Sequence, residues 1–131
     1  MDWKLQVVVV PVSDVDRARA FYEQVGFVLD HDTQVTSDVR VVQLTPPGSA
    51  CSIVFGTGVA EGLPGSLKGL QLSVSDVNAA HVHLTAQGVD ASPVQHFEGG
   101  ARVAGHGGVY NSFVFFDDPD GNSWAVQEGP V

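Results

Sequence analysis

The four residues Val-Ser-Asp-Val occur twice in this chain, each time between an apolar strand-like run and a helix-like run. The first copy begins at Val12 and the second at Val74, which is 62 residues later in a chain of 131. The glycine that follows each motif keeps the same offset, since Gly26 corresponds to Gly88. Similarity at a fixed offset is the mark of a repeated structural unit. We therefore expect two copies of one small unit.

Each copy has the pattern of a strand, a helix and three further strands. The helices are expected to begin after Asp14 and Asp76, whose carboxylates can accept hydrogen bonds from the first free N–H groups, and to end at Gly26 and Gly88. Apolar and β-branched runs predict the strands at 5–12, 27–31, 39–44, 51–55, 67–74, 91–97, 113–116 and 123–128. This order predicts an α+β fold with two tandem β-α-β-β-β units. The units are expected to form a half-open mixed β-barrel with the helices on its outer face.

The chain length fits one compact domain over residues 1–131. Within it, the repeat predicts a first unit at 1–58, a linker at 59–66 and a second unit at 67–131. The linker is rich in glycine and contains Pro64. Residues 98–112 form a long excursion in the second unit, and loops of this length are typical of lids or binding loops.

The charge balance restricts the partners. The net charge is −9, with only six Lys and Arg residues. Nucleic acids and anionic membrane surfaces both require clustered cations, so neither is expected as a partner.

The single cysteine, Cys51, cannot form an internal disulfide. The sequence has no apolar run long enough to span a bilayer and begins without the basic region of a signal peptide, so a cytoplasmic location is expected.

Three motifs occur in an order that is typical of one superfamily. Phe21-Tyr22 lies on the first helix, Gly26-Phe27 follows it, and Asp118-Pro119-Asp120-Gly121-Asn122 precedes the last strand. Together with the repeat, these motifs resemble the vicinal oxygen chelate superfamily, which includes glyoxalase I, extradiol dioxygenases and bleomycin-resistance proteins. The resemblance covers essentially the whole chain. It implies the fold but no particular activity, because this fold carries enzymes as well as pure binding proteins.

The resemblance also implies where a metal ion would be held in members that do chemistry. The ligands of such members come from the first and last strands of each unit, and the corresponding positions here are Val7, Gly69, Ala125, and Ser52 or Val54. Val, Gly and Ala offer no side-chain lone pair, and a lone Ser hydroxyl is a poor ligand. We therefore expect no inherited metal site and no cofactor.

Strand alternation predicts which side chains face the cleft that the two half-barrels would share. If the apolar faces pack under the helices, the small and weakly polar faces remain for a ligand. Such a surface, with a few hydrogen-bonding groups, is typical of a pocket for a flat or apolar molecule. The predicted ligand-binding residues are Val7, Val9, Ser52, Val54, Gln71, Ser73, Ala125 and Gln127.

Three hypotheses for function follow. We favour a metal-free binding protein for a small organic molecule, similar to the bleomycin-resistance branch and dimeric like many short members of the superfamily. The alternative is a metal-independent isomerase or lyase that uses His96 or His106 as a base and Tyr110 as a hydrogen-bond donor. A metal-dependent glyoxalase or dioxygenase ranks last.

Overall fold

A computed structural model describes residues 1–130 of the chain. It contains two helices, α1 at Val15–Val25 and α2 at Val77–Ala86. The strands are β1 Val7–Val9, β2 Val28–Thr36, β3 Val39–Thr45, β4 Ser52–Thr57, β5 Leu70–Val74, β6 Gln95–Glu98, β7 Ala101–Ala104, β8 Phe113–Asp117 and β9 Ser123–Glu128. They form two mixed sheets, ordered β1-β4-β3-β2 and β5-β9-β8-β6-β7. In the part of the chain that is described, no helix is long and apolar enough to cross a membrane.

The chain divides into two compact units. Unit 1 consists of residues 1–67 together with 118–122, and unit 2 consists of residues 68–117 together with 123–131. The predicted α+β order of tandem strand-helix-strand units is confirmed. Each unit contains one sheet and one helix.

Unit 1 is built around α1 and a four-stranded sheet. Asp14 caps the helix by accepting a hydrogen bond from the backbone N–H of Arg17 at 3.0 Å, and Gly26 ends it in the left-handed conformation at φ 117°. Strand β1 pairs with β4 in parallel, and the other pairs are antiparallel. The helix packs on β3 and β4, and the buried core includes Val10, Tyr22, Val42, Leu44 and Phe55.

The Asp-Pro-Asp-Gly-Asn turn at 118–122 belongs to unit 1, although it comes late in the chain. The side-chain amide of Asn122 donates to the carbonyl of Pro11 at 2.8 Å, and its oxygen accepts from the N–H of Leu67 at 3.1 Å. The Asp120 carboxylate accepts hydrogen bonds from the backbone N–H and the hydroxyl of Ser13. The turn is therefore tied to the segment that follows β1 and to the residue that follows the linker.

Unit 2 is built in the same way. Asp76 caps α2 by accepting from the N–H of Ala79 at 3.1 Å, and Gly88 follows the last turn of the helix at φ 79°. Strand β5 pairs with β9 in parallel. The side chains that pack toward the helix are buried, and they are Val77, Leu84, Val114, Phe116, Trp124 and Val126.

Several strand predictions differ from the structure, since β2 extends to Thr36, β5 begins only at Leu70 and β6 only at Gln95. The first strand is only Val7–Val9, because its parallel partner offers hydrogen bonds over Ser52–Val54 alone. In unit 2 the excursion at 98–112 contains an additional strand, β7, which pairs with β6. Gly99 and Gly100 make this hairpin possible, because both adopt positive φ values, 55° and 82°, as a two-residue turn of the type I′ kind requires.

Candidate functional site

The predicted residues of unit 1 share one face of its sheet. Val7 lies opposite Ser52, and Val9 lies opposite Val54. Directly paired residues point to the same side of a sheet, so all four side chains belong to one face. Ser52 and Val54 are buried, whereas Val9 is partly exposed.

A chain of polar side chains crosses the same face of unit 1. The hydroxyls of Ser52 and Thr45 lie 2.6 Å apart, and the Thr45 hydroxyl donates to the Asp30 carboxylate. The Gln43 amide donates to the same Asp30 oxygen at 3.1 Å. These donors, Thr45 first, hold the pKa of Asp30 below its usual range. Since an ionised carboxylate only accepts, Thr45 must donate to Asp30 and Ser52 must donate to Thr45.

An open depression of about 400 Å³ adjoins this face of unit 1. The end of β1 forms one wall, and the segment at 59–67 forms the other. It is lined by Val9, Pro11, Val59, Ala60, Glu61, Gly62, Ser66 and Leu67. The volume falls in the range of small-molecule sites, and the lining is mainly apolar.

The predicted residues of unit 2 also share one face. Gln71 lies opposite Ala125, and Ser73 lies opposite Gln127. The Gln71 amide donates to the Gln127 side-chain oxygen at 3.0 Å, and the Gln127 amide donates to the backbone carbonyl of Tyr110 at 2.9 Å. The two glutamines are therefore held in fixed orientations by one hydrogen-bond chain.

Three phenylalanines, which strand alternation did not select, extend this face of unit 2. Phe113 lies opposite Gln127 and Phe115 opposite Ala125, while Phe97 lies two residues beyond Gln95, the partner of Phe113. The rings of Phe113 and Phe115 are 5.7 Å apart and nearly parallel at 11°. Phe97 meets these rings edge-on, at 5.3 and 6.0 Å. Phe97 remains 40% exposed, so the cluster has an accessible aromatic surface.

Strand alternation alone could not identify this cluster of phenylalanines. Phe113-Val114-Phe115-Phe116 is apolar on both faces of β8, so polarity could not show which face was free. The register between β8 and β9 is the feature that identifies the face of these side chains. Since β8 runs antiparallel to β9, the residues opposite Ala125 and Gln127 had to share their face.

Arg102 completes the aromatic cluster. It lies on β7 directly opposite Phe97, and its guanidinium carbon lies 3.6 Å from the centroid of the Phe115 ring. This distance is that of a close cation–π contact. The face therefore combines aromatic rings, two oriented amides and one guanidinium.

The three side chains proposed for acid–base chemistry lie in different places. His96 points to the face opposite Phe97, where it is bonded to the Gly105 carbonyl and the Glu98 carboxylate, both at 2.8 Å. The Gly105 contact, and then Glu98, raise the pKa of His96.

His106 lies 3.2 Å from the side-chain oxygen of Asn78 on α2. Tyr110, in the left-handed conformation at φ 57°, offers its carbonyl to Gln127.

The positions at which superfamily members hold a metal ion lie on the two faces just described. Val7, Ala125 and Gly69 carry no donor atom in their side chains, and the Ser52 hydroxyl is engaged with Thr45. These residues do not fit a divalent cation. Within residues 1–130, no three His, Cys, Asp or Glu side chains are grouped closely enough to hold a metal ion.

Comparison with known proteins identifies the family. Residues 4–126 match the Glyoxalase/Bleomycin resistance protein/Dioxygenase superfamily, and the chain belongs to it. The match covers nearly the whole chain, as the sequence resemblance predicted. No curated protein gives a significant match.

Solved structures from two bacteria resemble this chain over almost its entire length. TnmS3, an antibiotic binding protein from Streptomyces sp. CB03234, is 32% identical, with 98% of each chain covered and a TM-score of 0.77. A glyoxalase/bleomycin resistance protein from the same organism is also 32% identical, covering 95% of this chain and 100% of its own, with a TM-score of 0.74. A superfamily member from Sphaerobacter thermophilus DSM 20745 is 27% identical, covering 97% and 98%, with a TM-score of 0.71.

Proposed function

We propose that this protein binds a small, planar aromatic molecule on its sheet faces without the aid of a metal ion. The observation that carries the proposal is the cluster of Phe97, Phe113 and Phe115 beside the hydrogen-bonded pair Gln71 and Gln127 on one face of unit 2. The similarity to an antibiotic binding protein supports the binding of a small organic molecule in general.

The exposed ring of Phe97 provides the driving force for binding. A folded protein gains by covering exposed aromatic surface, and an aromatic pair contributes about 0.5–1.5 kcal/mol beyond the burial of area. The carboxamides of Gln71 and Gln127 are fixed by their mutual bond, so they can orient a ligand without being ordered on binding. Apolar walls with a few fixed polar groups are typical of small-molecule sites.

The corresponding face of unit 1 belongs to the same proposal. Val7, Val9, Ser52 and Val54 remain the residues proposed to contact a ligand there, as Gln71, Ser73, Ala125 and Gln127 do in unit 2. The depression beside Val9 and Pro11 offers concave apolar surface on this side.

Binding is favoured over acid–base catalysis by the positions of the histidines. His96 lies on the other face of the unit 2 sheet, and both of its ring nitrogens already have partners. His106 contacts α2. A general base must lie within hydrogen-bond reach of the proton that it removes, and neither imidazole is directed toward the phenylalanine cluster.

Calorimetric titration with a panel of planar aromatic antibiotics tests the proposal. At least one compound should bind saturably, and Phe97→Ala should weaken it by about tenfold, which corresponds to about 1.4 kcal/mol. Val82→Ala is the matched control, because Val82 is an exposed apolar residue of unit 2 on α2. Saturable binding that Phe97→Ala leaves unchanged would contradict the assigned site.

A metal requirement is tested on the same titration. We expect the Kd of the bound compound to be unchanged by dialysis against a chelator, because the superfamily ligand positions carry no suitable donors. Stoichiometric zinc, nickel, iron or manganese in protein purified without chelator, together with loss of binding on chelation, would contradict the proposal.

We also propose that the protein is a cytoplasmic homodimer. The support for a dimer is the exposure of Trp3 and Leu5, large apolar side chains just before the edge strand β1. Light scattering should give the mass of two chains, and Trp3→Ala should shift the protein toward the monomer. A monomeric mass at high concentration would contradict the dimer.

A further inference from the structure

We propose that Arg102 makes this protein selective for aromatic ligands that carry an anionic oxygen substituent, such as a carboxylate. The inference rests on the proposed aromatic site and specifies the chemical class of its ligand. It is carried by the position of the Arg102 guanidinium over the Phe115 ring, on the face that Phe97 and Phe113 share.

Arg102 differs from the three other arginines in its partners. Arg19 and Arg40 form ion pairs with carboxylates, and Arg17 donates to the Pro119 carbonyl at 2.6 Å. Among residues 1–130, no carboxylate comes within ion-pair distance of Arg102. The guanidinium of Arg102 instead contacts the face of the Phe115 ring. A guanidinium stacked in this way keeps its N–H edge free to donate.

The neighbouring acidic side chains do not compete for this edge. Glu98 lies on the opposite face of the sheet, where its carboxylate is bonded to His96 at 2.8 Å. Asp117 lies on the same face as Phe115 but is exposed and, among the described residues, forms no ion pair with Arg102. The guanidinium is thus available to an incoming anion.

The hairpin fixes where Arg102 lies. Gly99 and Gly100 form its turn, Glu98 pairs with Ala101, and Phe97 pairs with Arg102. The pairing fixes the backbone of Arg102 opposite Phe97, and the guanidinium then lies over the Phe115 ring. A planar ligand that contacts Phe97 would bring a substituent on its edge within reach of the N–H groups of the Arg102 guanidinium. These N–H groups can donate two parallel hydrogen bonds to a carboxylate.

Two probes of equal shape test the inference. The Kd values of 2-naphthoate and of naphthalene-2-carboxamide are measured by calorimetry for the wild type, Arg102→Gln, Arg102→Lys and the charge-matched control Lys4→Gln. The wild type should prefer the carboxylate by about two- to fivefold, the range of an exposed charged pair, and added salt should reduce the preference. Arg102→Gln should abolish the preference, Arg102→Lys should retain part of it, and Lys4→Gln should leave it intact.

The outcomes separate this inference from the proposed function. Equal affinity of the wild type for the two probes, or a carboxylate preference that survives Arg102→Gln, overturns the role of Arg102 and leaves the aromatic site standing. Failure of both probes and of the whole aromatic panel to bind overturns the proposed function and this inference with it.

Discussion

The hydroxyl of Tyr22 donates a hydrogen bond of 2.8 Å to the Asp118 carboxylate, which lies 96 residues further along the chain. Both side chains are buried in unit 1. The same carboxylate accepts from the side-chain amide of Asn122 at 2.8 Å and from the backbone N–H groups of Asp120 and Asn122 at 2.9 Å each. Two motifs that identify the family, one on α1 and one in the late turn, are thus the two ends of one buried hydrogen bond.

Removing the Tyr22 hydroxyl tests what this bond contributes. Tyr22→Phe keeps the ring packed against Phe27 and Phe55 but takes one donor from a buried carboxylate. We expect the free energy of unfolding to fall by about 2 kcal/mol, as for hydrogen bonds to charged groups. Urea denaturation measures it. Tyr110→Phe is the control, because that side chain is exposed, and an equal loss in both variants would contradict the assignment.

Gly65 in the linker lies directly against the turn at 118–122. A Cβ at this position would lie 2.0 Å from the Asp120 carbonyl oxygen, and the φ angle is 80°. Gly48 has nearly the same φ, 82°, and a Cβ added there would meet nothing within 4 Å, so it isolates the backbone effect. Gly48→Ala should cost about 1 kcal/mol and Gly65→Ala several times more, because a backbone carbonyl must move. An equal loss in the free energy of unfolding for the two variants, measured by urea denaturation, would show that the turn at 118–122 can move without cost.

Asp32 gives a prediction about pH. Its carboxylate accepts from Arg40 at 2.7 and 2.9 Å and from Arg19 at 2.8 Å, and these donors, Arg40 first, lower its pKa from 3.8 to about 2. The stabilisation is complete above the ordinary pKa and is lost as the pH falls toward the folded-state value. Wild type should therefore exceed Asp32→Asn in stability at pH 6, and the difference should shrink between pH 4 and about 2.

Denaturation in urea across this pH range measures the difference. Asp38→Asn, at the exposed turn after β2, is the matched control and should differ little in stability from the wild type. A gap between wild type and Asp32→Asn that stays constant down to pH 2 would contradict the role of the Arg40 pair.

Gln95 places a buried oxygen with no hydrogen-bond partner, among the described residues, on the face of unit 2 that is proposed to bind a ligand. Leaving a polar atom without a bond costs about 1–3 kcal/mol. Gln95→Leu should therefore raise the free energy of unfolding by about 1 kcal/mol. Gln71→Leu should not, because it removes a bonded amide from an exposed position. Destabilisation by Gln95→Leu would show that the amide makes a compensating contact.

Local signals were sufficient for the helices and most of the strands. Asp14 and Asp76 cap the two helices as predicted, because a capping carboxylate acts on N–H groups within its own turn. Gly26 ends α1 for an equally local reason. The limits of β1 could not be predicted in this way, because they depend on how far β4 offers a partner.

The site depends on pairing between distant strands, which sequence spacing cannot supply. The phenylalanine cluster arises because β8 pairs with β9 and β6 pairs with β8. The Gly99-Gly100 pair is a recognised hairpin signal that indicates strand β7, whereas the length of the segment at 98–112 favours a loop. Whether Val7, Ser52, Gln71 and the other predicted residues contact a ligand stays a prediction.

The proposal on which the others depend is that the face containing Phe97, Phe113 and Phe115 binds an aromatic ligand. Amide chemical-shift mapping of ¹⁵N-labelled protein during a titration with 2-naphthoate examines this face residue by residue. We expect saturable shifts that are largest at these three residues and at Arg102 and Gln127, with small shifts along α2. Shifts confined to α2, or none that saturate with 2-naphthoate or any aromatic compound of the panel, would show that the ligand site is not on this face.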